Sequence, residues 1–260
     1  MNSINLNFDI EESLLYSEFL QKAIYPKQRH FDRVFRDSFV LFKPLYFVSG
    51  DFFWLSEVNG LTYIVVCDCA GHGVPGAILS VLMYSLLDYA ILNKKLKKTQ
   101  KIAREIDKRF IESFCSAESQ KPFDNDWVDV SICCIEKEIN TIYFTGCKRD
   151  LLHISGGKMN LYKGDSNPIG GWKIDENRCF KSVGIKYQAG DCLYLGTDGF
   201  QDQIGGEDSK KFKKKQLHNL LLQNSKLPMS LQKEKLEEEL DQWMRGNGQT
   251  DDICVIGIRL

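Results

Sequence analysis

The sequence predicts an α+β fold in which helices cover sheets that also cover each other. Three observations predict it. Short runs rich in β-branched and aromatic residues, broken by Gly, Asn and Asp turns, fill residues 38–68 and 127–196. Helical periodicity falls in one N-terminal segment and in paired segments between and after those runs, without the strand-by-strand alternation of a parallel α/β sheet. No internal repeat or low-complexity linker divides the chain, and 260 residues suffice for one large domain with a sizeable core.

In chain order, residues from about 9 to 24 place Ile10, Leu14, Leu15, Phe19, Leu20, Ala23 and Ile24 at helical spacing and end before Pro26. This apolar stripe packs either on the chain's own core or against a second copy or a regulatory partner. A basic and aromatic linker follows. Residues 38–42 read as a strand, 48–55 as the next, and 61–68 as its hairpin partner, because Asn59-Gly60 is a strong turn signal. Such a hairpin brings Asp51 and Asp68 toward the same end of one sheet.

Residues 74 to about 92 are apolar nearly all round, which requires deep burial. Asp88 and the glycine-rich turn before them argue against a membrane span, and no apolar run is expected to reach transmembrane length. After a solvated basic loop, residues 99 to about 114 form a helix with Ile102, Ala103, Ile106, Phe110 and Phe114 on one face. Strands are expected at 127–136, 141–146, 151–155, 159–162, 179–186 and 192–196. Helices at 214–223 and 229–244 precede a final strand, 253–260.

A formal net charge of −1 predicts no general attraction to nucleic acid or to an anionic membrane. The first seven residues lack the basic and apolar regions of a signal peptide, so a cytoplasmic location is the expectation. The nine cysteines are odd in number, form no C-x-x-C pair and lie mostly in strand-like runs, which reads as reduced core thiols. Gly71-His72-Gly73-Val74-Pro75-Gly76 matches the dinucleotide pattern G-x-G-x-x-G. That reading needs an acidic residue about 20 positions on at a strand end. The nearest, Asp88, falls mid-helix, and no Lys-Ser/Thr pair makes the loop a phosphate-binding P-loop.

Carboxylates at strand–turn boundaries carry the chemistry. Asp51, Asp68, Asp198 and the pair Asp251/Asp252 each stand at such a boundary with glycine close by. Uncompensated carboxylates converging at a sheet edge repel, so the arrangement requires a cation. All-oxygen ligands select Mg²⁺ or Mn²⁺ over zinc. Two such ions about 3.5–4 Å apart can acidify a bridging water and hold a phosphoryl oxygen, the chemistry of phosphate-ester hydrolysis.

The segments Ser49-Gly50-Asp51-Phe52-Phe53, Asp68-Cys69-Ala70-Gly71-His72-Gly73-Val74-Pro75-Gly76-Ala77, Thr197-Asp198-Gly199-Phe200 and Thr250-Asp251-Asp252-Ile253 resemble, in order, the motifs of the SpoIIE/RsbU branch of the metal-dependent PPM-type serine/threonine protein phosphatases. The likeness runs from about residue 10 to the C-terminus. It implies a four-layer α-β-β-α sandwich with a site for two Mn²⁺ or Mg²⁺ ions at one edge. It also implies metal ligation by Asp51, Asp68, the Cys69 carbonyl, Asp198 and Asp251, with Asp68, Asp198 and Asp251 central to catalysis and Asp68 bridging the ions. Asp252 maps to an outer position. His72 either orients the loop or donates a proton, and Asp129 is either a site aspartate or a strand-edge surface residue.

Two departures stand out. Cys147-Lys148-Arg149-Asp150 replaces the small Asn-Pro turn usual in relatives, which bears on substrate contacts. The stretch Pro44-Leu45-Tyr46-Phe47 holds no counterpart of the phosphate-gripping arginine of the eukaryotic enzymes, so the phosphate-binding group is unidentified. The resulting expectation is a regulatory or dimerising helix (1–27) followed by a phosphatase domain (28–260) that hydrolyses phosphoserine or phosphothreonine on a regulatory protein. An anti-sigma-factor-antagonist-like domain is the substrate that the resemblance suggests. The alternative is a catalytically silent domain that binds a phosphoprotein.

Overall fold

The computed structural model describes residues 2–115, 126–171 and 178–260, the side chains of 2–8, 114 and 115 excepted. The expected place of Phe114 on a helix face therefore lies outside the described residues. Helices α1 (Asn2–Ile24) and α2 (Gln28–Val34) lead into β1 (Asp37–Lys43). β2 (Asp51–Val58) and β3 (Leu61–Cys69) form the expected hairpin. α3 (Gly73–Asp88), extended by a π turn over Tyr89–Asn93, and α4 (Thr99–Cys115) follow. Next come β4 (Trp127–Glu136), β5 (Thr141–Cys147), β6 (Leu151–Ser155), β7 (Lys158–Tyr162), β8 (Ile169–Gly170), β9 (Val183–Lys186) and β10 (Cys192–Gly196). The short α5 (Gly199–Asp202), a small ribbon of β11 (Ile204–Gly205) and β12 (Lys210–Lys211), α6 (Lys214–Asn224), α7 (Met229–Met244) and β13 (Ile253–Arg259) complete the order.

Two antiparallel sheets face each other. One has the order β1-β13-β10-β6-β7, and the other β2-β3-β4-β5-β9 with β8 added on β4. The layering follows from strand alternation, because successive side chains point to opposite faces. Cys254, Ile256 and Ile258 of β13, with Leu193 and Leu195 of β10, enter the core shared with the second sheet. The intervening Ile253, Val255, Cys192 and Tyr194 instead pack under α6 and α7 with Leu217, Leu221, Leu236 and Leu240. On the far side, α3 and α4 cover the six-stranded sheet. This is the expected α+β sandwich.

Several expectations are corrected. The linker after Pro26 holds a helix, α2, because Phe31 is fully buried there and His30 Nδ1 accepts the Lys27 N–H at 2.8 Å. The strand expected from 179 begins only at Val183, since the Lys181 N–H is taken by the Asp165 carboxylate. Gly73–Asn93 spans 21 residues and is long and apolar enough to cross a bilayer by length and composition, contrary to the expectation that no run reaches that length. Met83, Leu87, Ala90 and Ile91 lie buried in the sheet-facing core, but Val74, Ile78, Val81 and Leu92 are exposed, so the deep burial expected on every side is met on the sheet-facing side alone. Of the described cysteines, seven are free and buried, whereas Cys179 is exposed.

The apolar stripe on α1 is not buried on the core: of its residues only Leu14 is half-buried, and the helix meets the core through Gln21 instead. Gln21 is buried on the core, but Tyr16 and Phe19 are 62% and 67% exposed, and Ile10, Leu15, Leu20 and Ile24 are also exposed.

Candidate active site

The register of the second sheet lines up three aspartates. The Asn59-Gly60 turn sets Asp51 directly opposite Asp68, and the β3–β4 pairing sets Asp129 directly opposite Asp68 on its other side. Directly paired residues share one face of a sheet, so three carboxylates stand in a row at one end of β2, β3 and β4. The other sheet contributes Thr197-Asp198 from the end of β10. Thr197 staples the two sheets: its hydroxyl donates to Asp51 Oδ2 at 2.5 Å and accepts the Cys254 N–H at 3.0 Å.

The cation among these carboxylates is Arg149. Its Nη2 donates to Asp68 Oδ2, to Asp198 Oδ2 at 2.8 Å and to Asp129 Oδ2 at 3.3 Å. The residue belongs to the turn that departs from the family pattern, and that turn is tightly held. Lys148 adopts a left-handed backbone with φ 59°, and its N–H donates to Asp165 O at 2.7 Å. A Cβ on Gly146 or Gly164 would fall 2.1 or 2.3 Å from the Arg149 carbonyl oxygen, so only glycine lets the three backbones meet. Asp150 closes the turn by accepting the Gly164 N–H and an ion pair from Lys214.

Asp251 and Asp252 separate in role. Asp252 is buried and turns away, its two oxygens accepting the Leu45 N–H at 2.7 Å and the Gly50 N–H at 2.8 Å. Asp251 is exposed on the loop and lies close enough to Asp198 and His72 to feel their charge. Gln203 holds that loop in place. Its Oε1 accepts the Thr250 N–H at 3.1 Å and its Nε2 donates to Gly248 O at 3.0 Å. His72 is exposed, precedes α3 and stacks obliquely against Tyr46 with ring centroids 5.3 Å apart.

The loop glycines serve packing. A Cβ on Gly76 would lie 2.5 Å from Gly71 O and 3.0 Å from Gly50 Cα, so the start of α3 docks directly on the backbone before Asp51. This same closeness leaves the Cys69 carbonyl oxygen near Gly50, 3.2 Å from where a Cβ would stand. The Cys69 side chain itself is in the core, so only its carbonyl can serve the site.

Electrostatics follow from burial and crowding. Burial pushes the Asp51 carboxyl well above the usual range, and Asp68 beside it adds to the rise. Burial likewise raises Asp68, outweighing the help of Arg149, and raises Asp129 and Asp251. For Asp198 burial works upward, but the charge and hydrogen bond of Arg149 outweigh it and hold this carboxyl below the ordinary range.

Among the described residues no three Asp, Glu, His or Cys side chains form a ready metal cage; Arg149 occupies the space between Asp68, Asp129 and Asp198. The donor set nevertheless fits a hard divalent cation. It consists of oxygens alone, and Asp129 Oδ1 is buried without a hydrogen-bond partner. Sequence reasoning left Asp129 undecided and assigned no role to Arg149, Gln203 or Thr197. The unusual Lys148-Arg149 dipeptide was the one signal available.

Comparison with known proteins agrees with this fold. A comparison with curated proteins gave no match. Among solved structures, the SiaA-PP2C domain of Pseudomonas aeruginosa superposes with a TM-score of 0.88 at 27% identity, covering 100% of both chains. The PP2C phosphatase domain of SpoIIE from Bacillus subtilis, with a fragment of its regulatory domain, superposes with a TM-score of 0.67 at 17% identity, covering 86% of this chain and 63% of that one. RsbX in complex with magnesium gives 0.56 at 16% identity, covering 86% and 94%. The family model of stage II sporulation protein E (SpoIIE) matches residues 59–260. With that match over most of its length and the aspartates set where the two sheets meet, the chain belongs to the SpoIIE family of PP2C-type phosphatase domains.

Proposed function

We propose that this protein is a Mn²⁺- or Mg²⁺-dependent serine/threonine protein phosphatase acting on a phosphorylated regulatory protein. The observation that carries the reading is the row Asp51–Asp68–Asp129, completed from the opposite sheet by Asp198. Such a concentration of buried carboxylate is stable only beside a strong positive charge. Asp51, Asp68, the Cys69 carbonyl, Asp198 and Asp251 are the residues that would hold two ions, and the magnesium complex of RsbX supports a divalent cation. When bound, these ions would acidify a water and polarise a phosphoryl oxygen.

The chain's own residues do the rest. Thr197 fixes Asp51, and Asp252 fixes the Leu45 and Gly50 amides, so the cluster keeps its shape. A cleft beside Thr197, lined by Lys148, Arg149, Asp150, Gln201, Lys214 and His218, offers polar groups to an incoming phosphoprotein, with Lys214 paired to Asp150. Among the described residues no cysteine lies exposed there, which supports direct attack by water over a phosphocysteine route.

The family resemblance suggests an anti-sigma-factor-antagonist-like substrate. The exposed stripe of α1 supports a homodimer through the N-terminal helix. The test is turnover of a phosphoserine peptide and of a phenyl phosphate by the EDTA-treated chain, with and without Mn²⁺. Restoration of turnover by Mn²⁺ is expected, and equal turnover without metal would overturn the reading.

A further inference from the structure

We propose that Arg149 is the phosphate-binding residue of this site and that in the metal-free protein it serves as the counter-ion of the carboxylate cluster. This rests on the phosphatase reading above. A single guanidinium nitrogen touches Asp68, Asp129 and Asp198, whose positions come from β3, β4 and the end of β10. The residue is almost wholly buried, and its Nε has no hydrogen-bond partner. A buried guanidinium normally uses its whole fork of donors. Here the fork is only partly used, so it has capacity for a ligand that the free protein does not supply.

The turn around Arg149 is built to keep it there. The contacts of its carbonyl with Gly146 and Gly164, the left-handed Lys148 and the Asp150–Lys214 ion pair fix the backbone. Left-handed non-glycine backbone costs energy and persists where the surrounding structure requires it. These contacts hold the backbone, whereas the side chain is held by its ion pairs with the aspartates.

Charge decides where it moves. A guanidinium and a divalent cation cannot share the Asp68 and Asp198 oxygens, because like charges at contact distance repel in a buried site. Once a cation holds those oxygens, the guanidinium withdraws while its backbone stays in place. It is then a planar, doubly donating cation beside the metal-filled cluster, which is the geometry that binds a phosphoryl group in a bidentate way. Arg149 thus supplies the phosphate grip that Pro44-Leu45-Tyr46-Phe47 lacks, from a different part of the chain.

Two binding measurements on the full chain test this without relying on turnover. In calorimetry on EDTA-treated protein, Arg149→Ala should bind Mn²⁺ about ten-fold or more tightly than the native chain, because no internal cation competes. In the Mn²⁺-loaded protein, inorganic phosphate should bind Arg149→Ala about ten-fold or more weakly, the usual scale for losing a charge-assisted pair. Arg149→Lys, which keeps the charge but loses the fork, should fall between on both. A melting curve of each variant with Mn²⁺ establishes that it is folded. Unchanged Mn²⁺ affinity or unchanged phosphate affinity in folded Arg149→Ala would overturn the proposal. Absence of turnover in the native chain would overturn the phosphatase reading alone, since both binding comparisons stand without it.

Discussion

Gln21 of α1 grips the backbone of Ser49 from both sides: its Nε2 donates to the Ser49 carbonyl at 2.8 Å and its Oε1 accepts the Ser49 N–H at 2.9 Å. Ser49 is fully buried, and its hydroxyl in turn accepts the Asp51 N–H at 3.0 Å. The N-terminal helix is therefore joined to a proposed metal ligand through two residues. Gln21→Ala strands a buried donor and a buried acceptor and should cost about 2–6 kcal/mol of stability, at roughly 1–3 kcal/mol per unpaired group. Denaturant unfolding measures the loss, and turnover at saturating Mn²⁺ should fall several-fold as Asp51 loses its support. Native turnover in a destabilised Gln21→Ala would show that the joint is structural only.

The exposed face of α1 makes a separate prediction, because Phe19 and Tyr16 point away from the Gln21 contact. Phe19→Glu should convert a dimer in solution to a monomer while leaving the fold intact. Light scattering reads the mass, and a native chain that is monomeric at tens of micromolar would remove the helix as a dimer contact. A chain starting near Gln28 should lose both the dimer and the support of Ser49, so its turnover should fall further than that of Phe19→Glu.

Asp68→Asn and Asp198→Asn should each abolish nearly all turnover, since a neutral amide is a poor ligand for a hard cation. Both carboxylates are partly exposed, with side chains 21% and 34% accessible, so the fold should survive. Asp252→Asn should do the reverse. It keeps one acceptor for Leu45 or Gly50 but not two, costing about 1–3 kcal/mol of stability with a milder loss of turnover. Turnover and melting of the three variants side by side check the division. Equal loss of turnover in Asp252→Asn and Asp198→Asn would place Asp252 among the direct ligands.

Mn²⁺ should raise the melting temperature of the EDTA-treated chain. A ligand at 100 times its dissociation constant adds about 2.7 kcal/mol, and for a chain of this size each kcal/mol is roughly 2–4 °C. Asp68→Asn should lose most of this shift, and an equal shift in native and variant would place the ion elsewhere.

Gly76→Ala should damage both stability and activity although alanine favours helix. The new methyl would stand 2.5 Å from the Gly71 carbonyl oxygen and 3.0 Å from Gly50 Cα, forcing the loop away from Asp51. Gly248→Ala, where nothing lies within 4 Å of an added Cβ, is the control and should melt like the native chain.

The sequence by itself determined the longer strands, the β2–β3 hairpin and the strand-end positions of Asp51, Asp68 and Asp198. Local rules suffice there: Asn59-Gly60 sets the β2–β3 register, and that register places Asp51 opposite Asp68 without reference to the rest of the chain. The near-continuous apolar runs of β10 and β13 likewise show that both faces are covered, although not by what. Tertiary structure alone decided the partners that lie far apart in sequence. Arg149 meets Asp68 across 81 positions, Thr250 meets Gln203 across 47, and Ser49 meets Gln21 across 28. No periodicity or spacing encodes such meetings, because they depend on how two sheets and a helix dock. Asp129 shows the boundary between the two kinds of information. In sequence it is either a site aspartate or a strand-edge surface residue, and the β3–β4 register, fixed when the third strand docks, sets it beside Asp68 and under the guanidinium of Arg149.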